Sequence, residues 1–495
     1  MMVDRFDLFR YACISSLLVL AVGCAEHAIS CRPDPVRPAV ALRSGQEISV
    51  ASSCGQFVVP PCVNLEDGIT EDEAIALALA NNSTFQSLLT TLTMAEGDAI
   101  QAGLLTNPNL GTFFQVGVKQ WEWTLYAPIE AYLLRPERER IANSDYQRIA
   151  HSLIQSGLTL VRDVRVAHTD LALAQQQLEL ASEAREIRQG IADLTGRRFE
   201  RGEISDLESM TAKVDAATAH ANIVALEQNV QVARNRLDNL LGMPYASQST
   251  VAVPSNEWQS DAESFTNVDI LIDEALRVRP DMCAANWAVT TAAHRAHLAR
   301  RLFWRIDGVA DANQKGEKGY EVGPGLRFDI PIFNRNQGGR LRSVAEWEQA
   351  CRNRDVVRDQ IVQEVRTAAA QVSLTNQNLD ILNQDVVPVL DEALSIAKKG
   401  YEGGGAPYLL VLQATTQYLD ARGRVLDQLA GLRRARAELE RAVGHKLNPS
   451  SVSPHETFVP EDSPLDPVAP APAATSDERT TESPLPTFLE SVEPE

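Results

Sequence analysis

The sequence has few of the residues on which metal sites and catalytic centres depend. Among 495 residues there are eight histidines, and none of the seven cysteines belongs to a CxxC pair. Structural zinc sites need such pairs or closely spaced Cys and His ligands, so no metal site is expected. The zinc-protease, serine-hydrolase and phosphate-loop signatures are absent as well. We therefore expect no cofactor and no enzymatic activity.

Positive charge and aromatic side chains are also in short supply. The chain holds 46 Lys and Arg against 66 Asp and Glu, a formal net charge of −20. This excess of negative charge argues against binding to a phosphate backbone, so we expect no nucleic-acid partner. Aromatic residues make up only 6% of the chain, while Ala, Leu, Gln, Arg and Glu crowd its middle. Such a composition favours long helices over sheet.

The sequence does contain an internal duplication at a constant offset. Phe199 corresponds to Tyr401, and Gly202 corresponds to Gly404. In each copy the aromatic residue and the glycine lie between two long helical patterns. Glycine supplies the backbone angles that reverse one helix into the next. Each copy is therefore predicted to form a helical hairpin, with the two tips as neighbours.

The helical patterns are unusually long. They cover 136–198 and 203–241 in the first copy, and 338–399 and 405–443 in the second. At 1.5 Å per residue, a helix of some sixty residues extends about 90 Å. No compact core covers such helices, so they are predicted to pack side by side as antiparallel coiled coils.

Each copy also has a pair of short segments with alternating polarity ahead of its long helix. The predicted strands are 109–118, 121–129, 306–314 and 322–333. In the last strand Leu326 and Phe328 alternate with Arg327 and Asp329. A soluble hairpin would alternate too, but charged residues within so apolar a strand favour a barrel with a lipid face and an aqueous lumen.

The second strand carries two tryptophans on one face. Trp121 and Trp123 point one way and Glu122 the other. The tryptophans could form the core of a small sheet, but we favour a girdle at a membrane interface. Glu122, Arg327 and Asp329 are accordingly predicted to face the lumen.

The ends of the chain differ from its middle. Arg5 and Arg10 precede a short apolar run, which predicts a secretory signal too short to span a bilayer. Cys24 follows a sequence that resembles a bacterial lipobox, which predicts lipidation there; ordinary cleavage nearby is the alternative. Cys54 and Cys62 could pair in an oxidising compartment.

These features divide the chain into six segments. They are a lipoprotein-type signal peptide (1–23), an N-terminal linker (24–66), a first repeat (67–243), an inter-repeat linker (244–268), a second repeat (269–445) and a disordered, acidic, Pro-rich tail (446–495).

Several segments, in order and in both copies, carry a family resemblance. They are Gln101–Pro108, Pro128–Ala131, Phe199–Ser205 with the run to Leu241–Gly242, Arg279–Asp281, Pro331–Gly338, Gly400–Gly403 and Glu438–Gly444. Together they resemble the outer membrane efflux protein family, the TolC-like exit ducts of bacterial pumps. The resemblance covers about residues 65 to 445, and the segment Phe333–Gly339 is closest to the heavy-metal and RND-type (resistance-nodulation-division) branch.

The resemblance implies a mainly α fold with a small β part, built from two structural repeats. Three chains would form a homotrimer whose long antiparallel coiled-coil helices make an α-barrel. Four strands per chain would contribute to a 12-stranded transmembrane β-barrel. Four strands alone leave open edges that lipid cannot satisfy, so closure by other chains is also expected on physical grounds.

The resemblance further implies the function and the partners. The protein would be the outer membrane channel of a tripartite efflux system, lipid-anchored and membrane-spanning, with a large periplasmic part. It would work with a periplasmic adaptor (membrane fusion) protein, an inner-membrane pump of the RND type and outer membrane lipid. A periplasmic coiled-coil scaffold or adaptor without a membrane barrel remains the alternative.

Site residues follow from the same resemblance. The predicted adaptor-contact tips are Gly202, Glu203, Ile204, Ser205, Leu207, Gly404, Gly405, Tyr408 and Leu409. At the periplasmic aperture, where relatives place an acidic ring, the second copy has Leu410 and Gln413 instead, and the first copy has Glu208 at the position that matches Leu410. An acidic gate of the TolC pattern is therefore not expected.

Overall fold

The computed structural model describes residues 34–46, 57–61, 63–64, 68–114, 121–243, 267–302, 305–314 and 320–447. The predicted signal peptide, Cys24, Cys54 and Cys62 lie outside these residues, as do most of the inter-repeat linker and the tail beyond 447.

Within the described residues the elements follow the predicted duplication. The first half contains α1 (Val36–Ser44), α2 (Glu71–Asn81), α3 (Ser83–Gly103), β1 (Asn109–Phe113), β2 (Glu122–Pro128), α4 (Ile129–Leu133), α5 (Arg135–Glu200) and α6 (Asp206–Leu241). The second half contains α7 (Val268–Val278), α8 (Pro280–Arg301), β3 (Ile306–Gln314), β4 (Tyr320–Phe328), α9 (Gln337–Ile381), a π-helical turn (Leu382–Val386), α10 (Val387–Glu402) and α11 (Tyr408–Val443).

The long helices confirm the predicted lengths and the offset. Helix α5 has 66 residues, which is on the order of 100 Å. In the second half, the span from the start of α9 to the end of α10 begins and ends 202 residues later than α5. The return helices α6 and α11 have 36 residues each and show the same offset.

One difference between the halves lies in the outgoing helix. Helix α5 is continuous, whereas its counterpart is interrupted by the π-helical turn just before Pro388. Proline has no N–H to donate, and its ring clashes with the carbonyl of the preceding turn. A local π-turn relieves that clash without ending the helix. The prediction of a helical segment over 338–399 is confirmed, and the π-helical turn is a local feature within it.

The start of the first repeat contains two consecutive helices, α2 and α3. A capping box starts α2: the Glu73 N–H donates to Thr70 Oγ1 (3.3 Å), and the Thr70 N–H donates to Glu73 Oε2 (2.9 Å). The helix breaks at Asn82, whose backbone is extended. Its side chain accepts from the Phe85 N–H at 2.9 Å, so Asn82 is an N-cap that starts α3.

The four strands form one antiparallel sheet in the order β1-β2-β3-β4. The central pair, β2 with β3, joins the two repeats. β3 matches its prediction, while β1 is shorter than predicted. β4 ends at Phe328, so Pro331 and Ile332 follow the strand rather than end it as predicted. In the first repeat the prediction holds, because β2 ends at Pro128 and Ile129 opens α4.

Each repeat has its own hydrophobic core. The first core is contributed by α1, α2, α3, α5 and α6, and the second mainly by α7, α9 and α11. Helix α1 packs tightly on α5, since a Cβ at Gly157 would crowd the Val40 side chain. The cores hold each repeat's helices together well away from the hairpin tips.

Both repeats close their helical base with the same device. Asn82, between α2 and α3, donates from Nδ2 to the Leu240 carbonyl at 3.0 Å. Arg279, between α7 and α8, donates from Nη1 to the Ala442 carbonyl at 3.1 Å. The two carbonyls are 202 residues apart, so the return helix of each repeat is fastened at the equivalent position.

In the second repeat, Arg279 forms ion pairs in addition to its hydrogen bond to the return helix. The Arg279 side chain is almost fully buried and also donates to Asp281 (3.0 Å from Nε) and to Glu364 Oε2 (2.7 Å). Burial acts to raise the pKa of Glu364, but hydrogen bonds from Arg279 and Gln360 outweigh it and the pKa is lowered. This pairing gives a structural role to the Arg279–Asp281 part of the family resemblance.

Both return helices end in a left-handed glycine pressed against the same junction. Gly242 (φ +67°) lies against the Asn81 carbonyl, and Gly444 (φ +100°) lies against Arg279. We expect Gly242→Ala to lower the free energy of unfolding by about 2 kcal/mol, because it combines left-handed strain with a clash against backbone. Gly444→Ala should cost less, since its nearest neighbour is a side-chain methylene.

The measurement is thermal unfolding followed by circular dichroism, with Gly190→Ala in α5 as the matched control. A Cβ at Gly190 meets nothing within 4 Å, so this control should be neutral or stabilising. Equal melting temperatures for Gly242→Ala and Gly190→Ala would contradict the proposed closure.

Candidate channel surfaces: hairpin tips and a two-faced sheet

The two hairpin turns have the same backbone hydrogen bonds. The Gly202 N–H donates to the Phe199 carbonyl at 2.8 Å, and the Gly404 N–H donates to the Tyr401 carbonyl at 3.1 Å. Both glycines are left-handed, at φ +74° and +75°. No backbone atom would crowd a Cβ at either glycine, so the φ angle alone selects this residue.

The tips are neighbours, as predicted, and one side chain links them. The Arg198 guanidinium donates from Nη1 to the Tyr401 carbonyl at 3.1 Å, stacks 4.8 Å from the Tyr401 ring centroid and donates from Nε to Glu203 at 3.1 Å. The residue that corresponds to Arg198 in the second repeat is Gly400. This link was missed because the duplication does not repeat it.

A small apolar cluster fills the space between the tips. Tyr401 and Tyr408 are buried with ring centroids 6.3 Å apart, and alanines of α5 and α6 pack on them with Val411. Burial raises the pKa of Tyr408 to about 12, with Asp215 and Tyr401 contributing in the same direction and Arg188 opposing. Both tyrosines thus stay neutral at physiological pH.

The structure divides the predicted tip residues into exposed and buried groups. The exposed ones are Gly202, Glu203, Ser205, Leu207, Gly404, Gly405 and Leu409, while Ile204 is half-buried. Leu207 is 75% exposed and Leu409 is 59% exposed. Tyr408 is only 4% exposed, so its predicted role as a surface contact is wrong for this structure: it supports the tip from inside.

The predicted aperture residues lie one to two turns behind the tips. Glu208 is half-buried, and its N–H donates to Ser205 Oγ at 3.3 Å, which caps α6. Leu410 and Gln413 are exposed on α11. A candidate acidic group is therefore present on one hairpin of the chain and replaced by uncharged side chains on the other.

A seam of polar pairs joins α5 to α11 between the helical base and the tips. Arg162 contacts Glu438 at 3.3 Å, Asp170 contacts Arg434 at 2.7 Å and Glu183 contacts Arg422 at 2.5 Å. Near the base, Arg165 and Glu440 form a buried pair. The first three pairs are partly exposed to solvent and add little stability. Complementary charges along two helices nevertheless fix the register of one helix against the other. The seam aligns the outgoing helix of one repeat with the return helix of the other.

The sheet has one face without charge. Directly opposed residues share a face, and the register places on one side Leu110, Thr112, Trp123, Leu125, Ala127, Ile306, Gly308, Ala310, Ala312, Val322, Pro324, Leu326 and Phe328. Leu110 and Leu326 are each exposed by more than 65%. An exposed apolar surface of this extent needs an apolar environment.

The opposite face of the sheet is polar. It carries Glu122, Asp307, Asp311, Glu321 and Arg327, together with Asn, Thr, Gly and Tyr residues and the apolar residues Phe113, Pro128 and Val309. The Arg327 guanidinium lies 5.9 Å from the ring centroid of Tyr126 on the same face. The predicted lumen residues Glu122 and Arg327 thus share the polar face. Asp329 follows the end of β4, and its N–H donates to the Arg305 carbonyl at 3.1 Å.

The predicted interface aromatics lie toward the turn between β1 and β2. The rings of Trp121 and Trp123 are 6.5 Å apart, and Phe114 meets Trp121 edge-on at 5.3 Å. Trp123 belongs to the apolar face, beside Leu125 and Leu110 in adjacent rows. Among the described residues no helix is both long and apolar enough to cross a bilayer.

A sheet with one uncharged face, carried on paired helices of this length, is the arrangement of an outer-membrane channel protein. The sequence matches the outer membrane efflux protein family over residues 75–243 and 271–445, and the chain belongs to that family.

Individual relatives agree with this assignment. The cobalt-zinc-cadmium resistance protein CzcC of Cupriavidus metallidurans is 26% identical over 434 residues, which are 83% of this chain and 98% of that protein. The crystal structure of CusC covers 78% of this chain and 96% of its own with a TM-score of 0.65 at 19% identity. The outer-membrane channel OprN covers 76% and 90% with a TM-score of 0.66 at 16% identity.

The protein is therefore an outer-membrane efflux channel with a periplasmic part. The alternative, a coiled-coil scaffold or adaptor without a membrane barrel, is not supported. The family is one of transport channels rather than enzymes, which agrees with the expectation drawn from the missing catalytic signatures.

For the tips we expect Arg198→Gln to loosen the link between the hairpins without lowering the global melting temperature. The variant loses a charge-assisted hydrogen bond and a cation–π contact, so amide exchange in residues 401–408 should accelerate about tenfold or more. Arg201→Gln is the matched control, because the Arg201 side chain is 71% exposed and approaches Glu203 only at 3.9 Å. Equal exchange rates in the two variants would mean that Arg198 does not hold the tips together.

Proposed function

We propose that three copies of the chain form the exit duct of a tripartite efflux system. The main observation in support is the uncharged face of the sheet. Within the described residues β1 and β4 each pair with a single strand, so both edges of the sheet are open. In lipid those backbone groups need partners. Joining the β4 edge of one copy to the β1 edge of the next closes twelve strands, with the apolar face outward and Glu122, Arg327 and Asp329 toward the lumen.

The helices offer surfaces for the same assembly. Exposed apolar side chains recur along their length: Val214, Val224, Val232, Leu374, Val389 and Ile396. Helices with an uncovered apolar stripe associate laterally with others. Neighbouring copies would cover these stripes and enclose a tunnel continuous with the barrel.

The tips supply the contact with the other components. The exposed residues of both turns, with Leu207 and Leu409 foremost, would bind a periplasmic adaptor, and Glu208, Leu410 and Gln413 would line the entrance. The segment Phe333–Gly339 resembles the RND-type branch, so we assign an RND-type pump. Glu122, Asp307, Asp311 and Glu321 outnumber Arg327 on the polar face, and the relative CzcC is described as a cobalt-zinc-cadmium resistance protein. Both observations support divalent metal cations as the cargo.

The assembly is tested with the full-length protein in planar bilayers and in cells lacking the native gene. Wild type should run as a trimer, conduct ions and restore resistance to zinc and cobalt. Gly404→Glu should keep the trimer and its conductance but lose resistance, because a charged side chain disrupts the left-handed turn at the tip. Gly190→Glu, at an exposed open position on α5, is the matched control and should keep resistance. A monomer, or a trimer without conductance, would contradict the duct.

We further propose that Cys24 anchors the mature chain to the outer membrane through lipid. The mass of the purified protein should correspond to a chain that starts at Cys24 and carries acyl groups, and Cys24→Ser should lose them. Because the barrel itself spans the membrane, the variant should still form trimers. An unmodified N-terminus in wild type would end this assignment.

A further inference from the structure

The residues that follow β4 and extend into the first turns of α9 have no role in the proposed barrel or in the proposed adaptor contact at the tips. Residues 330–342, here named the border segment, contain no acidic residue but include Arg335, Arg340 and Arg342. They also include Ile330, Ile332, Phe333 and Leu341. A positive, apolar stretch stands out in a chain whose net charge is −20.

The border segment is held in a defined conformation. Asn336 has φ +58° and is the only non-glycine residue with positive φ in the described part of the chain. Its Nδ2 donates to the Ala299 carbonyl at 2.9 Å, and its N–H donates to Asn334 Oδ1 at 2.9 Å. A Cβ at Gly339 would clash with the Asn336 side chain. The segment is thus fastened to the end of α8 at some cost in backbone strain.

That conformation holds apolar side chains out from the protein. Phe333 is 92% exposed, the highest value of any large apolar side chain in the described residues, and Leu341 is 74% exposed. Ile330 and Ile332 are exposed as well. A fixed loop that presents phenylalanine to solvent forgoes the burial that stabilises folded chains, so an apolar partner is expected to cover it.

Several arginines in and beside the border segment have no acidic partner among the described residues; Arg300 follows Ala299, whose carbonyl accepts from Asn336. Arg342 is paired with Glu346 at 2.7 Å, and Arg301 is paired with Glu137 at 3.2 Å. In contrast, Arg335 donates only to the Pro331 carbonyl, and the side chains of Arg340 and Arg300 have no partner among the described residues. Three exposed guanidinium groups are therefore available to an anionic partner.

The position of the border segment identifies that partner. Leu326 and Phe328 belong to the uncharged face of the sheet, and the exposed Ile330 and Ile332 continue from its end. The tryptophans lie toward the opposite end of the sheet. Nine residues of β4 extend about 30 Å along the strand, and at the usual tilt of barrel strands this covers roughly 21–25 Å, close to the apolar band of an outer-membrane barrel. The border segment therefore coincides with the second boundary of that band.

We propose that the border segment docks on the bilayer leaflet that faces the helices. Phe333 lies among acyl chains, and Arg300, Arg335 and Arg340 bind the phosphate groups of anionic phospholipids. The inference rests on the proposed membrane-spanning role of the sheet. It adds a specific lipid-binding surface on the second repeat. At the equivalent place in the first repeat, after β2, helix α4 exposes Tyr132 and Leu133.

The occupant of the Phe333 surface is identified by photocrosslinking. The full-length protein carries p-benzoylphenylalanine in place of Phe333 and is reconstituted in vesicles of phosphatidylethanolamine and phosphatidylglycerol. Irradiation should give phospholipid adducts detectable by mass spectrometry. The same residue in place of Leu409, an exposed apolar side chain at the tip, should give none. Crosslinks from position 333 to a second copy of the chain, or no lipid adduct, would overturn the proposal.

The contribution of the three arginines to lipid binding is measured on the lipids that the purified trimer retains. The measured quantity is the preference for phosphatidylglycerol over phosphatidylcholine. Replacing Arg300, Arg335 and Arg340 with Gln should lower this preference about fivefold for each arginine. The triple Lys variant should retain most of it, and Arg201→Gln at the tip should not change it. An unchanged preference in the triple Gln variant would overturn the assignment of the arginines.

Conductance of the wild-type trimer separates the two proposals. A conducting trimer without lipid adducts at position 333 would refute only the border segment. A chain that forms neither trimer nor pore would refute the duct, and the border segment with it.

Discussion

An antiparallel sheet of four strands with an uncharged face and two open edges is the constraint from which the other features follow. Water cannot satisfy the exposed apolar side chains, and lipid cannot satisfy the unpaired backbone groups at the edges. Lipid satisfies the apolar face, and the edges are satisfied when further strands continue the sheet. In the part of the chain that the structure describes, each repeat contributes one pair of strands and no further strand continues the sheet. The long helices also need a partner surface, because one chain leaves their apolar stripes uncovered.

The duplication shows which contacts each repeat needs and which belong to the pair. The fastening of the return helix by Asn82 and Arg279, the left-handed glycines and the turn hydrogen bonds occur in both repeats. Arg198 occurs in only one, and Phe199 is 41% exposed while its counterpart Tyr401 is buried. Contacts within a repeat are thus conserved between the halves, and contacts between repeats are asymmetric.

Most of the fold could be predicted because its signals are long and repeated. Helical periodicity over sixty residues and a constant offset locate α5, α6 and α11 to within three residues, and alternation locates β3. Shorter signals failed. Asn82 reads as a surface residue within a helix until its cap geometry is seen, and the end of β4 depends on cross-strand pairing with β3 that spacing does not reveal. At the tips, the family resemblance assigned Tyr408 to the contact surface, whereas the second hairpin packs it against Tyr401.

The π-helical turn shifts by one residue which positions of the outgoing helix are buried near the tips. On α9, Val365, Val372 and Leu379 are buried at intervals of seven. An uninterrupted heptad would continue through residues 386, 393 and 400, which are Val386, Ala393 and Gly400. The buried residues of α10 are instead Leu394 and Tyr401, one position later. The wider turn before Pro388 absorbs one residue, and this single step of rotation brings an aromatic ring, rather than a bare glycine, beneath Arg198.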